Sequence, residues 1–147
     1  MKRLVLYPIL ATVVFFTACK KDGPDTPATT AKVGFLTNGT WRLSAVVSDD
    51  DGNGSYETDD FATYNSCFTD GIITFKSNLQ FEFNEGPTKC DPADSQIETG
   101  TWSLINNEND IKIDTDVYSI VELSNTTLKW REDGPANTSS IVTLTKR

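Results

Sequence analysis

The chain has 147 residues, enough for one domain, with 21 acidic against 13 basic residues and a net charge of -8. A chain of that sign repels phosphate backbones, and no basic stripe interrupts it, so nucleic acid is excluded as a partner. Histidine is absent, which removes Ser-His-Asp and Cys-His catalysis and every His-based zinc site.

Lys2 and Arg3 precede an apolar run over 4–16, and small residues follow at Thr17 and Ala18, just before Cys19. Charge, apolar core and small-residue cleavage site are the layout of a secretory signal. The run is shorter than the roughly 20 residues that a spanning helix needs. Phe16-Thr17-Ala18-Cys19 resembles the lipobox of bacterial lipoproteins, although Phe16 stands where Leu is usual. The resemblance implies cleavage before Cys19 and lipidation of that cysteine. It implies an outer-membrane location as well, because Lys20 and not Asp follows Cys19. Several acyl chains on one residue exceed what stable anchoring requires. The plain alternative is an ordinary signal peptide beside an incidental cysteine. Residues 1–18 are thus read as signal, 19–35 as a flexible Pro- and Thr-bearing tether, and 36–147 as the folded domain. Whether that domain faces the periplasm or the cell surface stays open.

The domain opens at Gly39-Thr40-Trp41, and strands are predicted at 40–48, 71–76, 79–84, 99–105, 110–114, 117–123, 126–132 and 138–145. Apolar and polar residues alternate with period two over 41–48, 79–84, 110–114 and 128–131, and Ile73 and Phe75 continue the pattern. In the first strand Trp41, Leu43, Ala45 and Val47 share one face. In the third, Leu79, Phe81 and Phe83 do the same, after a predicted two-residue turn at Ser77-Asn78. No stretch carries a sustained helical stripe, though one helical turn fits near 59–64. Eight short strands with tight turns predict an all-β, antiparallel up-and-down barrel, with a β-sandwich as the alternative. Gly-Thr-Trp recurs at 100–102, a weak internal echo.

Gly39-x-Trp41 on the first of eight strands resembles lipocalins, and the whole domain is similar to the lipocalin-like domains of bacterial lipoproteins. The resemblance implies that Trp41 plugs the closed end of the barrel, with Lys146 or Arg147 as its basic partner. It also implies a small hydrophobic or amphipathic ligand.

Export places Cys67 and Cys90 in an oxidising compartment, so a disulfide is expected; two free thiols are the alternative. It would close a loop of about 24 residues, stabilising by about 3 kcal/mol. Residues 49–60 are rich in Asp, Asn and Gly. Against the twelve-residue calcium loop, Asp49, Asp51, Asn53, Glu57 and Asp60 occupy ligand positions. The Ser55 carbonyl adds another, and Gly54 falls at the sharp turn. Calcium is one reading of the stretch; a solvated acidic connection is the other. Phe75, Phe81, Phe83, Trp102, Tyr118 and Trp130 are the candidate lining of a ligand pocket, or the filling of a solid barrel. A filled barrel would leave an interaction lipoprotein with an envelope-protein partner. Glu82 and Glu85 are not positioned as a catalytic pair, and no acid–base constellation supports an enzyme.

Overall fold

The computed structural model describes residues 30–147; the signal segment, Cys19 and most of the expected tether lie outside them. The elements are α1 (Ala31–Thr37), β1 (Trp41–Asp49), β2 (Thr58–Asp59), α2 (Ser66–Thr69), β3 (Ile72–Phe75), β4 (Gln80–Asn84), β5 (Ile97–Ile105), β6 (Asp110–Ile113), β7 (Asp116–Leu123), β8 (Thr127–Asp133) and β9 (Ser139–Lys146). Single 3-10 turns lie at Phe61–Thr63 and Pro135–Asn137. Among the described residues no helix is long and apolar enough to cross a membrane.

All the strands pair antiparallel, and each follows its neighbour in the sheet from β3 to β9. The sheet then closes on itself through β1 and β9, from Trp41↔Lys146 to Asp49↔Ser139. Closure removes the free edges that a sandwich would keep, so the eight long strands form a barrel. The 3-10 turn at Phe61–Thr63 stands where a helical turn fits the sequence.

Four local features differ from the sequence reading, each for a physical reason. The fold begins at Ala31, inside the expected tether, not at Leu36. Val33 and Leu36, three apart, turn one face of α1 inward, and Leu36 is fully buried. Burying one such side chain stabilises by about 1.5–3 kcal/mol. The Thr30 hydroxyl caps the helix by accepting from the Val33 amide at 3.3 Å.

The second difference is in β1. Its register against β9 shifts between Leu43 and Ala45, so Ser44 is the extra residue of a β-bulge. The bulge reverses the alternation. Trp41 and Leu43 face the core, but then Val46 and Ser48 do, in place of Ala45 and Val47. Ser44 Oγ donates to the Thr143 carbonyl across the bulge at 3.1 Å.

Third, the β3–β4 turn has three residues and not two. The positive φ falls on Leu79 (65°), not on Asn78, and the Leu79 amide donates to the Lys76 carbonyl at 3.0 Å. Leu79 is thereby 51% exposed, off the face that Phe81 and Phe83 share.

Last, β1 and β3 meet at a single pair, Trp41↔Ile73. The rest of that seam is covered by β2, paired to Val47 and Ser48, and by residues 60–71. Arg42 Nε ties α2 to β1 by donating to the Thr69 carbonyl at 2.8 Å. The expected disulfide is present: Cys67 of α2 is joined to Cys90 in the β4–β5 loop, with Cα atoms 5.1 Å apart. It staples the seam cover to the far hairpin.

Candidate functional site

One end of the barrel is sealed. Gly39 has φ +116°, which favours glycine, and a Cβ there would come within 3.4 Å of the Lys146 side chain. This turn drops Trp41 into the barrel, where it is 0% exposed. Its indole N–H donates to the Leu36 carbonyl at 2.9 Å. Lys146 Nζ lies 4.8 Å from the centroid of the same ring and donates to the Phe35 carbonyl at 2.7 Å. Of the two basic residues expected beside the plug, Lys146 takes the role. Burial lowers its pKa from the ordinary lysine value. Lys32 Nζ adds a tie from α1 to the Glu108 carbonyl in the β5–β6 turn, at 2.6 Å.

The interior is packed. Trp41, Phe75, Ile111, Leu128 and Leu144 are at most 1% exposed and belong to one cluster with Trp102, Trp130 and Val142. The six aromatics expected around a pocket do not form one wall. Phe75 contacts Phe81 and Trp102 with ring centroids at 5.6 and 5.5 Å. Tyr118 stacks on Trp130 at 5.3 Å and 26°. Phe83 stands apart, its ring lying against Gly71. The Trp102 indole N–H donates to the Lys76 carbonyl at 3.0 Å, which fixes that ring as structure.

The opposite end is different. There β7 and β8 part company. Their pairing stops at Ser119↔Arg131. Beyond it, Asp116 to Tyr118 stay with β6 and Glu132 and Asp133 stay with β9. The gap is a cleft of about 440 Å³ lined by Thr115, Asp116, Val117, Tyr118, Glu132 and Asp133. Tyr118 brings the Tyr118–Trp130 stack to its floor. The Trp130 indole N–H donates to Glu132 Oε1 at 2.8 Å, which holds the carboxylate at the edge of the indole. Burial, then Glu132 and then Asp116 push the Tyr118 phenol above its ordinary value. Asp133 is paired with Arg131 at 2.8 Å. A second, smaller cleft of about 190 Å³ adjoins it, shares Glu132 and Asp133, and reaches Asp50 and Ser140.

Residues 37–130, well over half of the chain, match the family model described as a lipocalin-like domain. The chain belongs to the lipocalin-like domain family. The solved structures it resembles include a lipocalin-like protein from Bacteroides uniformis, at 18% identity and TM-score 0.42, covering 74% of this chain and 97% of that one. A deswapped triple mutant of bovine odorant binding protein is 16% identical, with TM-score 0.41 and coverage of 77% and 74%. Bovine odorant binding protein in complex with its natural ligand is 15% identical, with TM-score 0.39 and coverage of 86% and 77%. No curated protein matches.

In this lipocalin-like chain the acidic loop satisfies itself. Asp49 is only 4% exposed and accepts from the amides of Asn53 and Gly54 at 3.1 and 2.9 Å. Burial pushes its pKa up, but these amides outweigh burial and the net shift is downward. Asp51 accepts from the Asn53 amide and side chain, and Asn53 Oδ1 from the Ser55 amide. Glu57 is exposed, and Asp60 is turned onto the Ser48 hydroxyl. The structure therefore gathers Asp49, Asp51 and Asn53 into one turn and does not bring Glu57 and Asp60 to it. Among the described residues no group of three or more Cys, Asp or Glu side chains is placed to hold a metal ion. Asp49, Asp51 and Asp60 each have a donor of their own within the loop or on β1.

Sequence reasoning missed two features of this lipocalin-like domain. One is the β7–β8 cleft, whose walls are brought together only by the register. Its signal was the mirrored pattern Asp116-x-Tyr118 and Trp130-x-Glu132, each on one face of a strand. The other is a surface hollow of about 310 Å³ on the seam cover, formed by Thr63, Tyr64, Asn65 and Phe68. Its Tyr64 and Phe68 are 41% and 56% exposed.

Proposed function

We propose that this chain is a lipid-anchored lipoprotein of the bacterial outer membrane. Residues 1–18 serve as its signal, Cys19 as its anchor and the following residues as its tether. Its lipocalin-like barrel is a packed scaffold that binds a small hydrophobic or amphipathic molecule at its open rim and catalyses no reaction. The single observation that carries the binding role is the parting of β7 from β8 over the Tyr118–Trp130 stack. It opens an aromatic-floored cleft where the rest of the barrel is solid. A cleft of about 440 Å³ falls within the range of small-molecule sites.

Two experiments test the reading. Intact-mass measurement of the protein from membranes should give a chain that starts at Cys19 and carries acyl groups; Cys19→Ala should move it to the soluble fraction. An unmodified soluble chain would sink the anchor. Calorimetric titration with benzyl alcohol, as a minimal amphipathic probe, should show saturable binding that Tyr118→Ala weakens. Equal binding to wild type and variant would remove the rim from the account.

A second reading rests on Tyr64 and Phe68, which stand exposed on the seam cover beside the disulfide. In it the packed barrel presents this face to another envelope protein.

A further inference from the structure

The walls of the β7–β8 cleft differ in chemistry from its floor. The floor is the Tyr118 ring, backed from within the core by the stacked Trp130. Asp116 stands on the inward face of β7, in register with Ile113, and Glu132 stands on the inward face of β8, in register with Ser140. The carboxylates thus come from two strands that no longer pair, one on each side of the rings. Glu132 keeps one oxygen on the Trp130 indole N–H, which leaves the other to face the cleft. Of the cations on the neighbouring strands, Arg131 is engaged by Asp133 at 2.8 Å, and Lys112 stands beside Val117 on the outward face of the sheet, opposite to Asp116 and Tyr118. Ring faces carry negative potential and attract cations, above all poorly hydrated organic ammonium groups. A net charge of -8 on the chain adds to the field at the rim.

We infer that the rim cleft selects molecules with a positively charged organic ammonium group on an apolar body, and rejects carboxylate-headed amphiphiles of the same size. The inference rests on the rim-binding reading and names the ligand class for it. The ammonium sits between Asp116 and Glu132 over the Tyr118 ring, which Trp130 backs, and the apolar body follows Val117 out of the cleft. A carboxylate in the same place would meet two like charges and the Tyr118 ring face. The raised Tyr118 pKa agrees in sign, since a negative field resists formation of a phenolate.

The test compares three water-soluble probes that share one ring: benzyltrimethylammonium, benzyl alcohol and benzoate. Each is titrated into the full mature protein in lipid nanodiscs, and the 15N-labelled indole signal of Trp130 is followed. The cation should bind about tenfold more tightly than the alcohol, and benzoate most weakly. Raising salt to about 0.5 M should shrink the cation's advantage. In the Asp116→Asn, Glu132→Gln double variant the cation should fall to the level of the alcohol. Glutamine still offers an oxygen to the Trp130 indole, so folding is retained, and unchanged Trp41 and Trp102 indole signals verify it. If alcohol and benzoate bind as tightly as the cation, the charge selection is wrong and the rim site stands. If no probe moves the Trp130 signal, both are wrong.

Discussion

The two ends of this barrel are built from the same strands yet handle their loose groups in opposite ways. At the closed end everything is tied. Trp41 fills the axis, its indole N–H is bonded, and Lys146 caps it while bonding the Phe35 carbonyl of α1. At the open end β7 and β8 abandon each other two residue pairs before β8 ends, and a carboxylate is held at the edge of the Trp130 indole. The first arrangement stores stability and excludes solvent. The second keeps an accessible apolar floor under charged walls. The strands separate at two places in the ring: β1 parts from β3, where β2 and residues 60–71 cover the seam, and β7 parts from β8, where the rim is left open.

The comparison can be broken hardest at the sealed end. Trp41→Ala should cost about 3–5 kcal/mol in denaturant unfolding, because a fully buried plug leaves a cavity that the rigid ring cannot close. Tyr118→Ala, at the half-buried rim, should cost less than half of that. Equal losses would erase the distinction between the ends. Next in size is the staple over the seam. Replacing Cys67 and Cys90 by Ser should cost about 2–4 kcal/mol. Because it pins α2 beside the weak β1–β3 junction, amide exchange should rise first over residues 60–71. A uniform rise would mean that the seam is no weaker than the other strand pairs.

A smaller effect sharpens the closed end alone. Lys146→Met keeps the apolar stem but loses the contact with the Trp41 ring and the bond to Phe35, for about 1–2 kcal/mol. The smallest effect reads the field at the rim. Tyr118 should ionise above 10.0 in an ultraviolet pH titration, and Glu132→Gln should bring it back toward that value. The sign follows from the raised folded-state pKa. The unfolded chain gives up its phenol proton first, so the contribution is complete below 10.0 and is lost as pH rises through the folded value. A midpoint at or below 10.0 would deny the negative walls.

Much of the fold was legible in local pattern. Alternation with period two and the turn residues between runs found all eight barrel strands, and the resemblance carried by Gly39-x-Trp41 implied the plug. What escaped depends on contacts distant in sequence. Ser44 reads as one more polar residue until its register with Thr143 shows a bulge, and the faces of Val46 and Val47 exchange with it. Seven residues of α1 with Gly34 in the middle carry too little periodicity to be seen; their stability comes from packing under Trp41. Leu79 takes a positive φ that its type disfavours, since the hairpin register requires it there. The candidate site fared worst. Tyr118 and Trp130 are among the aromatics that the sequence singles out, but Phe75, Phe81 and Trp102 are core. Asp116 and Glu132 border one cleft only because two strands part. The acidic loop shows the reverse case, where a strong ligand pattern is also a good turn pattern: the residue types that surround a cation equally accept backbone amides.

The three tryptophans provide the most direct test of the central claim, that the barrel is solid and binds at one rim. Trp41 reports the sealed end, Trp102 the packed middle and Trp130 the floor of the cleft. The measurement is a 15N-indole spectrum of the full mature protein, recorded as benzyltrimethylammonium is added. The account predicts that the Trp130 signal moves and saturates while those of Trp41 and Trp102 stay fixed. Movement of Trp102 to the same saturation point would place the ligand inside the barrel and contradict the account.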